Sequence, residues 1–131
     1  MANNSNRVSG SRAAIYVVDD EPMLLELAVV ILEDLDYDIK TFRDPQEALQ
    51  ALRSLPSPPA LVITDYAMHH MNGMDLIAQC RRVHPRQKTL LISGTVDEHV
   101  FDNSPVKPDR FLAKPYQAKQ LLEAVTTVLR D

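Results

Sequence analysis

Hydrophobic positions along this chain alternate between two spacings. Ala13 to Val18 (AAIYVV) is a short, unbroken apolar run ending in acids, the pattern of a parallel strand buried on both faces. Pro22 follows at a helix-start position, where a missing N–H costs nothing. Leu24, Leu27, Ala28, Ile31, Leu32 and Leu35 then recur three and four residues apart, as in an amphipathic helix. Tyr37 to Phe42 alternates weakly and predicts a second strand. Asp44 and Pro45 supply an N-cap and a first-turn proline, with Glu47 as reciprocal capping partner. Ala48, Leu49, Leu52 and Leu55 continue that helix until Pro56, Pro58 and Pro59 stop it. Leu61 to Thr64 predicts a third strand ending at Asp65, and a loop then runs to Gly73. A helix follows from about Met74 to Val83, with Leu76, Ile77 and Cys80 inward. Thr89 to Ile92 predicts a fourth strand, ending at Ser93 and Gly94. From Val96 to Asp109 the periodicity fades, and Pro105 and Pro108 leave room only for a short helix at Asp97 to Asp102. Arg110 to Ala113 predicts a fifth strand. Pro115 to Arg130 predicts the last helix, burying Leu121, Leu122, Val125, Val128 and Leu129.

Five strands alternating with about five helices, the fourth helix short or irregular, imply an α/β fold: a doubly wound parallel sheet with helices on both faces. Ligands in such sheets bind beyond the carboxyl ends of the strands. Functional residues should therefore follow strands directly. Asp19, Asp20 and Glu21 follow the first strand, Asp65 ends the third, Ser93 the fourth, and Lys114 the fifth. Carboxylates gathered at one spot repel one another unless a cation is present. A hard divalent ion with oxygen ligands answers this, and Mg²⁺ is the usual choice beside phosphate. Lys114 offers a point charge for a phosphate oxygen, and Ser93 offers a hydroxyl donor. With its charge offset by metal and lysine, Asp65 can act as a carboxylate nucleophile toward phosphorus. Each residue alone has an ordinary explanation: an acidic strand-to-helix turn, an exposed loop lysine, a Ser-Gly turn. Their joint occurrence at four strand ends marks a site.

Composition narrows the picture. The chain has 131 residues, 45% of them apolar, which suits one domain with a packed core. Its formal charge of −4 argues against a general nucleic-acid or membrane surface. Cys80 is the lone cysteine, so no internal disulfide forms, and a cytoplasmic setting is expected. No apolar run approaches the roughly 20 residues that span a bilayer. Residues 1–12 are polar and small, predicting a flexible N-terminal arm with no secretory character. His69 and His70, adjacent on a loop, are poorly placed to chelate one ion together. They are expected to face solvent and tune access to Asp65.

Four segments in register carry a family resemblance: VVDDEP (Val17 to Pro22), ITDYAM with MNG (Ile63 to Met68, Met71 to Gly73), LLISG (Leu90 to Gly94) and FLAKPY (Phe111 to Tyr116). Together they resemble the receiver domain of two-component response regulators, from about Ala13 to Arg130, so residues 13–131 are expected to form that domain. The resemblance implies a flavodoxin-like sheet of strand order 2-1-3-4-5. It makes Asp65 the phosphoacceptor, with Lys114 contacting the phosphoryl group and joined to Pro115 by a cis peptide. Asp20 would ligate Mg²⁺ directly, Asp19 would help through water, and Asp65 and the Ala67 backbone carbonyl would complete the metal site. Ser93 would be the hydroxyl switch and Phe111 the aromatic switch. The donor would be a phosphohistidine on a sensor histidine kinase or histidine phosphotransfer protein, and the output an unidentified protein target. Such a module is a switch rather than an enzyme, catalysing only its own phosphoryl transfer and loss.

Departures from the family pattern are His69 where proline is common four residues after the acceptor, Phe111 in place of tyrosine, and Pro108-Asp109-Arg110 leading into the fifth strand. The chain ends at Asp131, one residue past the last predicted helix, which fits either a stand-alone switch signalling through a changed face or a domain of a larger kinase or regulator. Two other functions compete. A receiver-like interaction module that never uses phosphate would lack acids or lysine, and all are present. A Mg²⁺-dependent aspartyl-phosphate phosphohydrolase would carry a second acid two residues after the nucleophile, where Ala67 stands.

Overall fold

Five short strands pair as one parallel sheet in a computed structural model that describes residues 12–131. The strands are β1 (Ala14–Val18), β2 (Asp38–Phe42), β3 (Leu61–Asp65), β4 (Thr89–Ser93) and β5 (Arg110–Ala113), in the order β2-β1-β3-β4-β5. The helices are α1 (Pro22–Leu32), α2 (Pro45–Arg53), α3 (Gly73–Val83) and α4 (Ala118–Arg130). Alternate side chains of each strand face opposite layers. Ile15, Val17, Leu61, Ile63, Leu90 and Ile92 pack with Leu25, Ala28 and Leu32 of α1 and with Leu121, Ala124, Val125 and Val128 of α4. Tyr16, Val18 and Val62 pack with Ala48, Leu49 and Leu52 of α2 and with Leu76 and Cys80 of α3.

Local chemistry sets the helix starts. Asp44 accepts the Gln46 N–H at 2.9 Å and opens α2 at Pro45. Asn72 and Asp75 form a capping box on α3. Boundaries shift where two signals compete. The last helix begins at Ala118 rather than Pro115, because Gln117 is extended backbone and serves as the N-cap, leaving Pro115 and Tyr116 in the loop. The second helix ends at Arg53, so Leu55 falls outside it and is exposed. On α1 the buried stripe is Leu25, Ala28 and Leu32, whereas Leu27 is 46% exposed. At about 100° per residue, Leu27 points some 200° away from Leu25, so only one of two apolar stripes can face the sheet.

The expected fourth helix is one 3₁₀ turn, Glu98–Phe101, opened by Asp97 accepting the His99 N–H at 2.9 Å. Arg81 fastens the end of this irregular segment. Its guanidinium donates to Thr89 Oγ1 at 3.1 Å, Asp109 Oδ2 at 3.0 Å and the Lys107 carbonyl, while Asp109 Oδ2 also accepts the Thr89 N–H at 2.7 Å. The N-terminal arm lies outside the described residues apart from Arg12, which donates to the Tyr37 carbonyl at 3.0 Å. Among the described residues, no helix is long and apolar enough to cross a membrane.

Candidate functional site

The carboxyl ends of β1, β3, β4 and β5 lie along one edge of the sheet, and the parallel register brings their next residues together. At β1, the Asp19 N–H donates to the Phe42 carbonyl at 3.0 Å, and Asp19 Oδ1 accepts the Glu21 N–H at 3.0 Å. This ties the side chain to the turn and leaves Oδ2 facing Lys114. At β3, the Tyr66 N–H donates to the Ile92 carbonyl at 2.8 Å, and the Gly73 N–H donates to the Tyr66 carbonyl at 2.8 Å. The loop between them is thus closed at its base, with Asp65 held in the last strand position. At β5, the Lys114 N–H donates to the Ser93 carbonyl at 2.8 Å, continuing the ladder one step past the strand.

Lys114 Nζ lies 3.0 Å from Asp65 Oδ1 and 3.5 Å from Asp19 Oδ2. Asp19, Asp20 and Asp65 each offer a carboxylate oxygen within 4.8 Å of the others, close enough for one cation to be reached directly or through bound water. Asp19 and Asp65 are buried. Burial raises both carboxyls above the ordinary range. At Asp65 the hydrogen bond and charge of Lys114 pull the other way without cancelling it; at Asp19 the Glu21 N–H does so, opposed by the charge of Asp65. Burial alone would push the Lys114 ammonium down, but its hydrogen bond to Asp65 and the charges of Asp19 and Asp65 outweigh that and raise it. The asymmetry has a simple origin: one ammonium serves two buried acids, so the base is well paired and the acids are not. An all-oxygen donor set that is short of positive charge fits a hard divalent ion such as Mg²⁺.

A carboxyl whose folded pKa is raised holds its proton more tightly in the folded than in the unfolded chain. Its contribution therefore favours folding in acid and is lost as pH rises from the ordinary value of 3.8 through the folded value. The metal-free protein should lose part of its stability in that window, and Asp65→Asn should flatten the slope. Urea midpoints of the two proteins at about pH 4 and pH 7, which bracket the window, check this; equal slopes would refute it.

The remaining expected site residues are less closely gathered. Ser93 stands at its strand end and is buried, but its Oγ accepts the Thr95 and Val96 N–H groups at 3.1 Å each. The hydroxyl is engaged with its own loop. Phe111 is half-buried on β5, its ring 6.1 Å from that of Phe101. Ala67 is exposed on the loop after Asp65. The Lys114–Pro115 peptide is cis. His69 and His70 are both exposed, and His69 Nδ1 sits 3.0 Å from Asp20 Oδ2.

Sequence reasoning assigned no role to three neighbours. Gly73 packs against the Asp65 carbonyl, Gly94 against the Lys114 stem, and Tyr116 sits near Asp19, Asp65 and Lys114, its hydroxyl pKa raised chiefly by burial. All three lie in the quoted motifs, but their contacts appear only once the strands are side by side.

A family model described as the response regulator receiver domain matches residues 15–126. The DNA-binding response regulator MtrA of Mycolicibacterium smegmatis is 31% identical over 119 residues, which are 91% of this chain and 51% of that protein. The sensor kinase CckA of Brucella abortus is 30% identical over 123 residues, 93% of this chain and 13% of that protein. The chain thus spans about half the length of one of these curated relatives and 13% of the other. Among solved structures, the signal receiver domain of an HD domain-containing protein from Pseudomonas fluorescens Pf-5 superposes with a TM-score of 0.79 at 28% identity, covering 91% of this chain and 88% of that one.

Proposed function

This chain belongs to the response regulator receiver domain family, and on that premise we propose that it is a phosphorylatable switch whose acceptor is Asp65. Receiver domains of this kind are signalling modules of two-component systems. The observation that carries the finer reading is the contact between Lys114 Nζ and Asp65 Oδ1 at 3.0 Å, set among three carboxylates within 4.8 Å of one another.

In the proposed reaction, an Asp65 carboxylate oxygen attacks the phosphorus of a phosphohistidine on a sensor histidine kinase or histidine phosphotransfer protein. The P–O bond forms as the P–N bond breaks, and the departing imidazole takes up a proton. Lys114 then moves its charge from the carboxylate to a phosphoryl oxygen. Asp20 directly, Asp19 through water, Asp65 and the Ala67 carbonyl would hold Mg²⁺, which supplies further charge neutralisation around the transferring group. For Ser93 to follow the phosphoryl group as a switch, its hydroxyl must exchange the Thr95 and Val96 amides for a phosphoryl oxygen, which couples acceptor chemistry to the loop leading into the 3₁₀ turn. Phe111, packed beside Phe101 of that turn, is the adjoining ring that such a shift would release. We propose residues 13–131 as the receiver unit, acting in the cytoplasm on a protein target.

Incubation with acetyl phosphate and Mg²⁺ tests this. One phosphoryl adduct is expected by intact mass, and excess EDTA should abolish it. Absence of an adduct favours a phosphate-independent interaction module, and repeated turnover of phosphate esters favours a phosphohydrolase.

A further inference from the structure

One contact reaches the acidic cluster from outside the four strand ends. His69, the fourth residue after Asp65, has its ring in solvent at 83% exposure, yet Nδ1 lies 3.0 Å from Asp20 Oδ2. The loop that carries it is constrained. The Gly73 N–H closes its base on the Tyr66 carbonyl at 2.8 Å, the Met71 N–H turns back to the His69 carbonyl at 2.9 Å, and His70 takes a left-handed φ of 75°. The capping box of Asn72 and Asp75 anchors the far end. A left-handed conformation at a side-chain-bearing residue is unfavourable by itself and persists where its surroundings impose it. The loop backbone therefore holds the start of the His69 side chain in place, and the contact with Asp20 orients its ring.

We infer that His69 is a positioning residue for the divalent cation: its Nδ1–H holds one oxygen of Asp20 and leaves the other free to face the ion. This rests on the proposed metal reading. An ionised carboxylate only accepts hydrogen bonds, so the contact requires the hydrogen on Nδ1. The χ2 rotation of a half-exposed aspartate is broad, and a ligand that must stop rotating on binding loses affinity; a preset hydrogen bond removes part of that loss. Asp19 has the analogous support, since its Oδ1 is held by the Glu21 N–H. Asp65 is held by Lys114. Asp20 takes its support from His69. Outer-shell hydrogen bonds of this type are worth about tenfold or more in metal affinity.

The test is Mg²⁺ affinity by isothermal titration calorimetry on wild type, His69→Ala and His69→Asn, with circular dichroism to verify the fold. The asparagine amide N–H₂ can occupy the place of Nδ1 and donate the same bond. His69→Ala should bind Mg²⁺ about tenfold more weakly, and His69→Asn should recover near-wild-type affinity. Unchanged affinity in His69→Ala overturns the inference. So does tighter binding, which would make His69 a competitor of the metal, and so does equal weakening in both variants. If wild type itself binds no Mg²⁺ in the same titration, the metal reading fails and takes this inference with it. Failure of the variants alone leaves the metal reading intact.

Discussion

Asp65→Asn should take up no phosphoryl group from acetyl phosphate under conditions where the wild-type protein acquires one. The substitution exchanges an ionised oxygen nucleophile for a neutral amide of nearly the same shape. Lys114 keeps Asp19 Oδ2 at 3.5 Å as a partner, so the surrounding geometry has no reason to collapse. Loss of the adduct therefore reports chemistry rather than unfolding. The same variant should be at least as stable as wild type near neutral pH, because burial raises the Asp65 carboxyl even with Lys114 beside it, and the amide removes that unfavourable charge. Intact mass and a urea melt on one preparation read both effects. An adduct that persisted would move the acceptor to another residue, Asp19 or Asp20 first, and would undo the assigned roles.

Gly73→Ala should unfold the protein more readily than any surface change. A Cβ at this position would stand 2.5 Å from the Asp65 carbonyl oxygen and 2.7 Å from Leu91 Cδ1. The first of these neighbours is backbone, held between the strand ladder and the Thr64 hydroxyl, which donates to the same oxygen at 2.9 Å. It cannot swing aside as a side-chain tip would. Replacing glycine by alanine gains up to about 1 kcal/mol of helix propensity, whereas overpacking against fixed backbone costs about 3 kcal/mol, so the clash wins. A fall in Tm of about 7 °C is the expected consequence of that net loss for a domain of this size. Because α3 begins directly against Asp65, whatever movement relieves the clash also displaces that carboxylate, and adduct formation should slow with it. Wild-type melting together with wild-type uptake would show that the helix start is not tightly packed on Asp65.

Much of the fold was legible because neighbours in sequence determined it. Runs such as Leu61–Ile63 and Leu90–Ile92 are unbroken apolar stretches, which suits strands covered on both faces, and the alternation with helical stripes implied a parallel sheet. Arg110–Ala113 was predicted to the residue. The misreadings share a cause. Leu27 belongs to a second apolar stripe on α1, and periodicity alone does not say which stripe meets the sheet. Pro115 is a good first helical residue, but the backbone at Gln117 postpones the helix to Ala118. Val96 to Asp109 lacked a period to read, and what orders its far end is Arg81, from a different helix.

The sequence by itself determined which residues end strands: Asp19, Asp65, Ser93 and Lys114 follow apolar runs, and that placement is local. Only the tertiary structure decided their contacts. Bringing Lys114 to Asp65 and Asp19, or His69 to Asp20, depends on strand order, register and the path of a closed loop, none of which a residue's chain neighbours encode. The same holds for the Ser93 hydroxyl, which points to the amides of its own turn although its strand ends at the site. Periodicity reports the face a side chain takes within its element. Distance between elements arises from packing the whole sheet, where a carboxylate gains or lacks a partner according to residues many positions away.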